Sequence, residues 1–537
     1  MKKTTLSILT FSLFTFTFSL SFAQPSTFNA HGIGGGGAQY SPSINPANSS
    51  EIYSSTDMTD MYHSTNGGAS WNVVSFTQLY GGVYAMVQFT NNNNIRYCLG
   101  YDPVNEVNIP VKSTNAGVNW APTTDPTGGN GAYFTIANPQ NSNQVIVSDY
   151  SNFYFSNNGG TTFGSAFYTD GTGNGAYIAG TFFDGNNIYI CTQAGLIIST
   201  NGGTSWGTLV DAVAGEDIVS FAGAKAGATT RFFCVTQTPG NVYPGAVTGE
   251  NASDYANTYS MNYPGTWAIK ETGIISGDWP MFVTMAANNI NDCYLGGETS
   301  IGEPMVLKTG DGGAAWTYVF NTSGNKNIKT GYCGQGGDFG WGWPGYVFGL
   351  NACMTDSLTV VETDEGFIHK TTDGGKTWSA LYVPPANLNP LNASTPKGLY
   401  YPSNGIEMTT TWDLQWYDSV HVFGGYTDVN AVRSKDGGNT WGFDCSGLNL
   451  NTTYKFLKNP TNGVLYAGTS SIHDMYQSTR LTDAIIDGGN GALMYSTDTG
   501  KTFNAMFNFG HPVIWMALDP TSSTRMYAAV VNHKGSG

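Results

Sequence analysis

Three tryptophans, Trp279, Trp412 and Trp515, stand near the first residues of strand-like runs, with Asp278 beside the first and Asp413 beside the second. An indole face stacks on the apolar face of a sugar ring, and a neighbouring carboxylate bonds its hydroxyls, so this pairing suits carbohydrate binding. A second cluster lies in Gly336 to Tyr346, where Asp338, Phe339, Trp341, Trp343 and Tyr346 are spread among glycines. A glycine-rich loop bearing that many aromatic and acidic groups reads as a binding loop, although tryptophans packed between structural units are the competing reading. The pairs Thr56-Asp57, Thr363-Asp364 and Thr427-Asp428 recur before similar segments, and a Thr-Asp pair that ends a strand can simply cap a turn.

These groups need a scaffold, and the chain announces it by repetition. A phrase of the form Ser/Thr-x-Asp/Asn-x-Gly-x-x-Trp/Phe occurs eight times, beginning at Ser64, Ser113, Ser156, Ser199, Thr309, Thr371, Ser434 and Ser496. Each copy has the makings of a hairpin tip. The Asp or Asn bonds backbone N–H groups of its own loop, glycine takes a positive φ, and the aromatic closes the turn. Most copies are 43 to 63 residues apart, the period of a four-stranded β-propeller blade. One double-length gap, between Ser199 and Thr309, holds strands at Arg231 to Gln237 and Thr266 to Lys270 and reads as a blade without the phrase. The expectation is therefore an all-β fold, one large propeller or two in tandem, with nine blade units and the opening of a tenth at Pro512 to Val531. Met526 to Val531 reads as a buried strand, and the chain stops six residues later, so the sequence is read as truncated at that end.

Composition narrows the partners. The net charge is -16 and no basic run interrupts it, which disfavours nucleic acid and anionic membranes and suits a neutral polymer. Lys2 and Lys3 precede an apolar stretch from Leu6 to Phe22, and Ser21 and Ala23 mark a cleavage site before Gln24. Residues 1-23 thus read as a signal peptide of a secreted bacterial protein, and 24-537 as the propeller region. No later segment is long and apolar enough to cross a bilayer. The seven cysteines show no metal spacing, although Cys333 and Cys353 could pair across the loop they bracket. No cofactor or metal site is expected.

The repeated phrase resembles the Asp-box, or BNR repeat, of sialidases, sortilin-type receptors and xyloglucan hydrolases. A more specific resemblance lies near the N-terminus, in Gly34 to Gly37, then Asn45-Pro46, then the run from Tyr53 to Tyr62. This order is similar to the start of family 74 glycoside hydrolases, the xyloglucanases, in which a strand ends in Thr-Asp-x-Gly-Gly-x-Tyr. The resemblance implies that Asp57 is the catalytic base. Thr59 and Asp60 replace the two glycines, which puts the shape of that turn in question. Trp515-Met516-Ala517-Leu518-Asp519-Pro520 resembles the family's Trp-Met segment leading to Ile-Asp-Pro, and makes Asp519 the nearest counterpart of the general acid. The implied activity is an inverting endo-β-glucanase with two carboxylates about 6.5–9.5 Å apart, acting on a plant-type polysaccharide such as xyloglucan. A non-catalytic propeller that binds glycan or protein is the alternative. A sialidase is disfavoured, because the chain has only five arginines and lacks the Arg-Ile-Pro phrase. Trp279, Asp338, Trp341, Trp343, Trp412, Asp413 and Trp515 are the expected substrate-binding residues. The sequence leaves the oligomeric state open.

Overall fold

The structure is a computed structural model that describes residues 31–32, 37–164, 175–249, 254–338, 342–407, 409–473, 475 and 481–532. The signal-like segment, most of the glycine run, Phe339 and Trp341 lie outside the described residues. Strands dominate because short β-rich runs alternate with Gly, Asn and Asp turns, and each run buries at least one face. Asn187–Thr192 and Gly195–Ser199 are examples, almost wholly buried along their lengths.

The described strands form ten sheets, each an antiparallel meander in chain order, which we number as blades 1 to 10. Blade 1 spans 39–73, blade 2 88–122, blade 3 134–156, blade 4 178–199, blade 5 217–269, blade 6 279–318 and blade 7 349–380. Blade 7 gains a fifth strand, Ile328–Lys329, which pairs in parallel with Trp378–Ala380. Blade 8 spans 411–434, blade 9 452–508 and blade 10, with two strands, 513–530.

A ring closes after blade 7. The first strand of the chain, Gln39–Ile44, packs on Gly349–Ala352 and Val360–Thr363. Tyr40 stacks on Phe348 with ring centroids 4.6 Å apart, the Gln39 N–H donates to the carbonyl of Asp364 at 3.0 Å, and the Ile44 N–H donates to Asn351 Oδ1 at 3.3 Å. The innermost strands of all seven blades surround a central channel of about 440 Å³. Tyr40, Phe134, Phe182, Phe221, Phe282 and Phe348 line it, and none of its lining residues is charged. The loop 242–249 from blade 5 lies across its mouth, where Thr248 Oγ1 is 2.9 Å from the Tyr177 hydroxyl and the Tyr84 hydroxyl donates to the Gly245 carbonyl. Blades 8, 9 and 10 continue beyond this ring, with inner strands Thr411–Trp416, Thr452–Lys458 and Val513–Asp519 packed side by side. The architecture is thus a closed seven-bladed propeller followed by a second run of blades.

The eight repeated phrases all fall at the tip joining the third strand of a blade to its outermost segment, and they share one hydrogen-bond plan. In blade 1, Gly68 N–H donates to Ser64 Oγ at 2.9 Å, Ser64 Oγ–H donates to Asn66 Oδ1 at 3.0 Å, and Ser70 N–H donates to the same oxygen at 2.9 Å. Blade 9 repeats it through Ser496, Asp498, Gly500 and Thr502. Six of the aromatics are buried and Phe163 and Trp206 are half-buried. Several also tie a blade to its predecessor. The indole N–H of Trp71 donates to Leu381 O at 2.8 Å, that of Trp378 to Val319 O at 2.7 Å, and that of Trp316 to Lys270 O at 2.9 Å. All seven cysteines are buried free thiols, so Cys333 and Cys353 are not paired. Cys333 Sγ sits 3.4 Å from the Gly342 carbonyl and Cys353 Sγ 3.6 Å from the Thr355 hydroxyl. The strand read as buried at the C-terminal end forms as Ser522–Val530, but it is largely exposed or half-exposed.

Candidate active site at the seam between the two blade runs

In a meander, the turn between the second and third strands lies at the same end of the blade as the start of the first. Asp57 occupies that turn in blade 1, just past Ile52–Thr56, and its carboxyl is at the surface. The turn is tight. Thr56 Oγ1 accepts the Asp60 N–H at 3.0 Å, and Thr59 adopts φ +74°. The family pattern places glycine there, and threonine holds the same left-handed geometry at a cost of about 1–2 kcal/mol. Gly81 braces the turn. Its N–H donates to Thr59 O at 2.9 Å, and a Cβ on it would meet Asp60 O at 2.5 Å. Burial raises the pKa of the neighbouring Asp60 carboxyl.

Blades 1, 7 and 8 meet here. The Tyr62 hydroxyl of blade 1 donates to the Glu407 carbonyl at 2.5 Å, and one core cluster runs from Ile44, Tyr62 and Trp71 through Phe367 and Tyr382 to Tyr401, Tyr426 and Trp441. Asp428 lies in the turn of blade 8 that corresponds to Asp57 in blade 1, at the surface with φ +65°. The Asn451 amide donates to its Oδ1 at 3.0 Å. Glu365, in the equivalent turn of blade 7, stands at the surface but is pressed against Gly345. This local desolvation, and then the charge of Asp428, raises its pKa. Glu298, at the corresponding end of blade 6, is raised by desolvation and then by Glu365. Glu298, Glu365 and Asp428 therefore form a row across three consecutive blades, in which the charge of Asp428 acts on Glu365 and that of Glu365 on Glu298. This row is absent from the sequence-predicted set, except that the repeated Thr-Asp pair pointed to Asp428.

The predicted aromatics divide. Trp279 begins the inner strand Trp279–Thr284 and is the register partner of Glu298, half-exposed at the end of the blade where the row lies. Trp412 is half-exposed, donates its indole N–H to Thr427 Oγ1 at 2.7 Å beside Asp428, and meets Tyr454 edge-on at 4.6 Å. Trp343 turns inward. It is 6% exposed, gives its N–H to Thr322 O at 3.0 Å and packs against Phe320 and His369, so it presents no free ring face. The Trp343 ring instead joins the core cluster that holds Phe320, Val347 and Trp378. Asp338 of the same loop accepts the Gly398 N–H through both oxygens, at 3.0 and 3.1 Å, and burial raises its pKa.

Asp413 and Trp515 belong to the second run's own framework. Asp413 pairs with Lys455 Nζ at 2.9 Å and accepts the Phe456 N–H at 2.8 Å, which pins blade 8 to blade 9. Lys455 Nζ lies 4.5 Å over the ring of Trp515, which is 56% exposed. Asp519 is not brought to the seam. It sits in the turn between the first two strands of blade 10, the opposite end from the turns of Asp57 and Asp428, where Thr521 and Arg525 bond it. Hydrogen bonds from Thr521, side chain before backbone, lower its pKa, the reverse of what a proton donor near neutral pH needs.

No protein-family profile matches the chain, and no curated protein matches its sequence. Solved structures do match its fold. An ancestral family 74 glycoside hydrolase aligns with a TM-score of 0.69 at 16% identity, over 94% of this chain and 68% of that one. The family 74 enzyme of Niastella koreensis aligns at 0.63 and 17% identity, over 90% of this chain and 68% of that one. The family 74 xyloglucanase of Xanthomonas campestris aligns at 0.62 and 13%, over 90% and 69%. At such identities the likeness carries the fold: this chain is an all-β propeller protein that resembles the family 74 glycoside hydrolases in architecture.

Proposed function

We propose that this chain is a secreted, xyloglucanase-like endo-β-glucanase that inverts at the anomeric carbon and works at the seam of blades 1, 7 and 8. The observation that carries the reading is the carboxyl set at the seam, with Asp57 on blade 1 and with Glu365 and Asp428 on either side of the junction between blades 7 and 8. Asp57 is surface-exposed in a braced turn, which suits a base that takes a proton from water. Burial, and then the charge of Asp428, raise the pKa of the Glu365 carboxyl, which suits donation to a leaving glycosidic oxygen. Trp279 and Trp412 offer partly exposed indoles at the same end for stacking on glucosyl units, and a neutral chain such as xyloglucan avoids repulsion from the acidic surface.

The test is release of reducing ends from xyloglucan, mixed-linkage glucan and cellulose by the full chain and by Asp57→Asn, Glu365→Gln, Asp428→Asn and Asp519→Asn. Loss at Asp57 together with loss at Glu365 or Asp428 supports the assignment. Loss at Asp519 alone moves the acid to blade 10. Binding of xyloglucan without hydrolysis by the unmodified chain makes the protein a glycan-binding propeller.

A further inference from the structure

Blade 7 carries an arrangement that hydrolysis at the seam does not use. Glu362 and Asp364 are two residues apart along Val360–Thr363 and its turn, so they leave the sheet on one face. His369, on the neighbouring strand Ile368–Thr371, is the register partner of Glu362. All three are fully buried, and one donor atom from each lies within 4.8 Å of the other two. Among the described residues no lysine or arginine forms an ion pair with either carboxyl. The one ion-pair contact is His369 Nδ1 to Glu362 Oε1 at 2.5 Å.

Two ionised carboxylates held this way carry a large desolvation penalty. One proton shared between Glu362 and His369 relieves part of that cost. It leaves Glu362 Oε2 and Asp364 Oδ2 without any hydrogen-bond partner, so each keeps an uncompensated desolvation cost. The other Asp364 oxygen is already engaged, accepting the N–H groups of Gly366 at 3.1 Å and Phe367 at 2.9 Å. A single divalent cation among the three side chains satisfies both orphaned oxygens and cancels both charges at once.

We infer that Glu362, Asp364 and His369 form a binding site for one first-row divalent transition-metal ion of the zinc type. An imidazole nitrogen with two carboxylate oxygens is a donor set that zinc accepts, whereas calcium is held by oxygen alone. Metal–ligand bonds of about 2.0–2.2 Å set tetrahedral donors roughly 3.3–3.6 Å apart, so the 2.5 Å contact between His369 and Glu362 opens as the ion replaces its proton, while donors at the wide end of the cluster draw in. The imidazole is already oriented. Phe320, Trp343 and Tyr382 surround it with ring centroids 5.3, 5.5 and 5.6 Å away, and Nδ1 faces the carboxyls. Nε2 then carries the ring proton among these aromatic rings, in keeping with its lack of a conventional partner. The ion ties the second and third strands of blade 7 together directly behind the turn that presents Glu365, so its role is structural.

The test uses the full chain without an affinity tag, produced in medium supplemented with Zn²⁺, Mn²⁺ or Co²⁺, dialysed exhaustively and analysed for metal content. One equivalent of metal per chain is expected, with visible d–d absorption in the cobalt form. Asp364→Asn, Glu362→Gln and His369→Gln are each expected to lose that equivalent, and chelation during refolding should lower the melting temperature of the unmodified chain only. If a variant fails to fold, the metal content and cobalt spectrum of the unmodified chain decide by themselves. An unmodified chain that holds no stoichiometric metal overturns the site and makes the trio a proton-sharing cluster. Retention of the metal by all three variants overturns it equally.

Discussion

Blades 1 and 7 carry the same dipeptide in the same turn and put it to opposite uses. Thr56-Asp57 ends the second strand of blade 1 with the aspartate in solvent, and Thr363-Asp364 ends the second strand of blade 7 with the aspartate fully buried. The difference does not lie in the pair itself. In blade 7 the ring closes over the turn, because Gln39 of blade 1 donates to the Asp364 carbonyl and Phe348 N–H donates to Thr363 O at 2.8 Å. The Asp364 carboxyl folds back on its own loop to cap Gly366 and Phe367. In blade 1 the threonine hydroxyl caps the turn through Asp60 N–H, which leaves the Asp57 carboxyl outward. A turn motif thus specifies where a carboxylate stands along the strand, and the neighbouring blade decides whether it meets water.

The sharpest way to break this contrast is catalytic. Asp57→Asn keeps shape but cannot take a proton from water, so xyloglucan turnover should fall about 100- to 10,000-fold with the melting temperature unchanged. Asp57→Asn with full turnover would leave both Thr-Asp pairs structural. Stability should show the mirror image. Asp364→Ala strands two buried N–H groups and is expected to cost about 2–4 kcal/mol in chemical denaturation, whereas Asp57→Ala should stay within about 0.5 kcal/mol. Equal costs would mean that the exposed turn depends on its carboxylate for folding just as the buried one does.

A smaller effect probes the turn that distinguishes Asp57. Thr59 holds φ +74°, where glycine avoids the Cβ penalty but loses more chain entropy on folding. Thr59→Gly is therefore expected to stabilise the protein by about 0.5–1 kcal/mol, read as a shift of the urea midpoint at constant slope. Destabilisation would show that the Thr59 side chain contributes packing that outweighs its strain.

How far the sequence could be read follows the same division. The eight tips were legible because every bond that shapes them closes within eight residues, from the Ser or Thr hydroxyl to the N–H beyond the Asp or Asn. The strand starts of Trp279 and Trp412 were legible from local pattern as well. Burial of Trp343 was not, since it depends on Phe320 and His369 from other segments. Nor was the carboxyl row, because Glu298, Glu365 and Asp428 are far apart in the chain and meet only when blades 6, 7 and 8 stand side by side. Asp519 reads from its tripeptide as the nearest counterpart of the general acid, and its turn falls at the opposite end of the blade from those of Asp57 and Asp428.

The tips allow one last and smallest test of how much a local motif settles without its neighbours. The first four carry asparagine, at Asn66, Asn115, Asn158 and Asn201, and the last four carry aspartate, at Asp311, Asp373, Asp436 and Asp498. At Asp436 partial burial opposes ionisation, but the Thr440 N–H and hydroxyl and the Ser434 hydroxyl outweigh it and hold the pKa below its ordinary 3.8. A depressed carboxyl pKa means that the folded state binds the proton less readily than the unfolded chain. The stabilisation is present above pH 3.8 and is lost as the pH falls through the folded value. Asparagine keeps the Oδ1 acceptor, and in blades 1, 3 and 4 its amide donates to the Ser or Thr hydroxyl four residues on. Asp436→Asn should therefore change stability at neutral pH by no more than about 0.5 kcal/mol while making the protein less sensitive to acid below pH 3.8. Acid titration of the melting temperature for the two proteins checks both halves. A large loss at neutral pH would mean that even these tips, the most local structures in the molecule, take their stability from the blades around them.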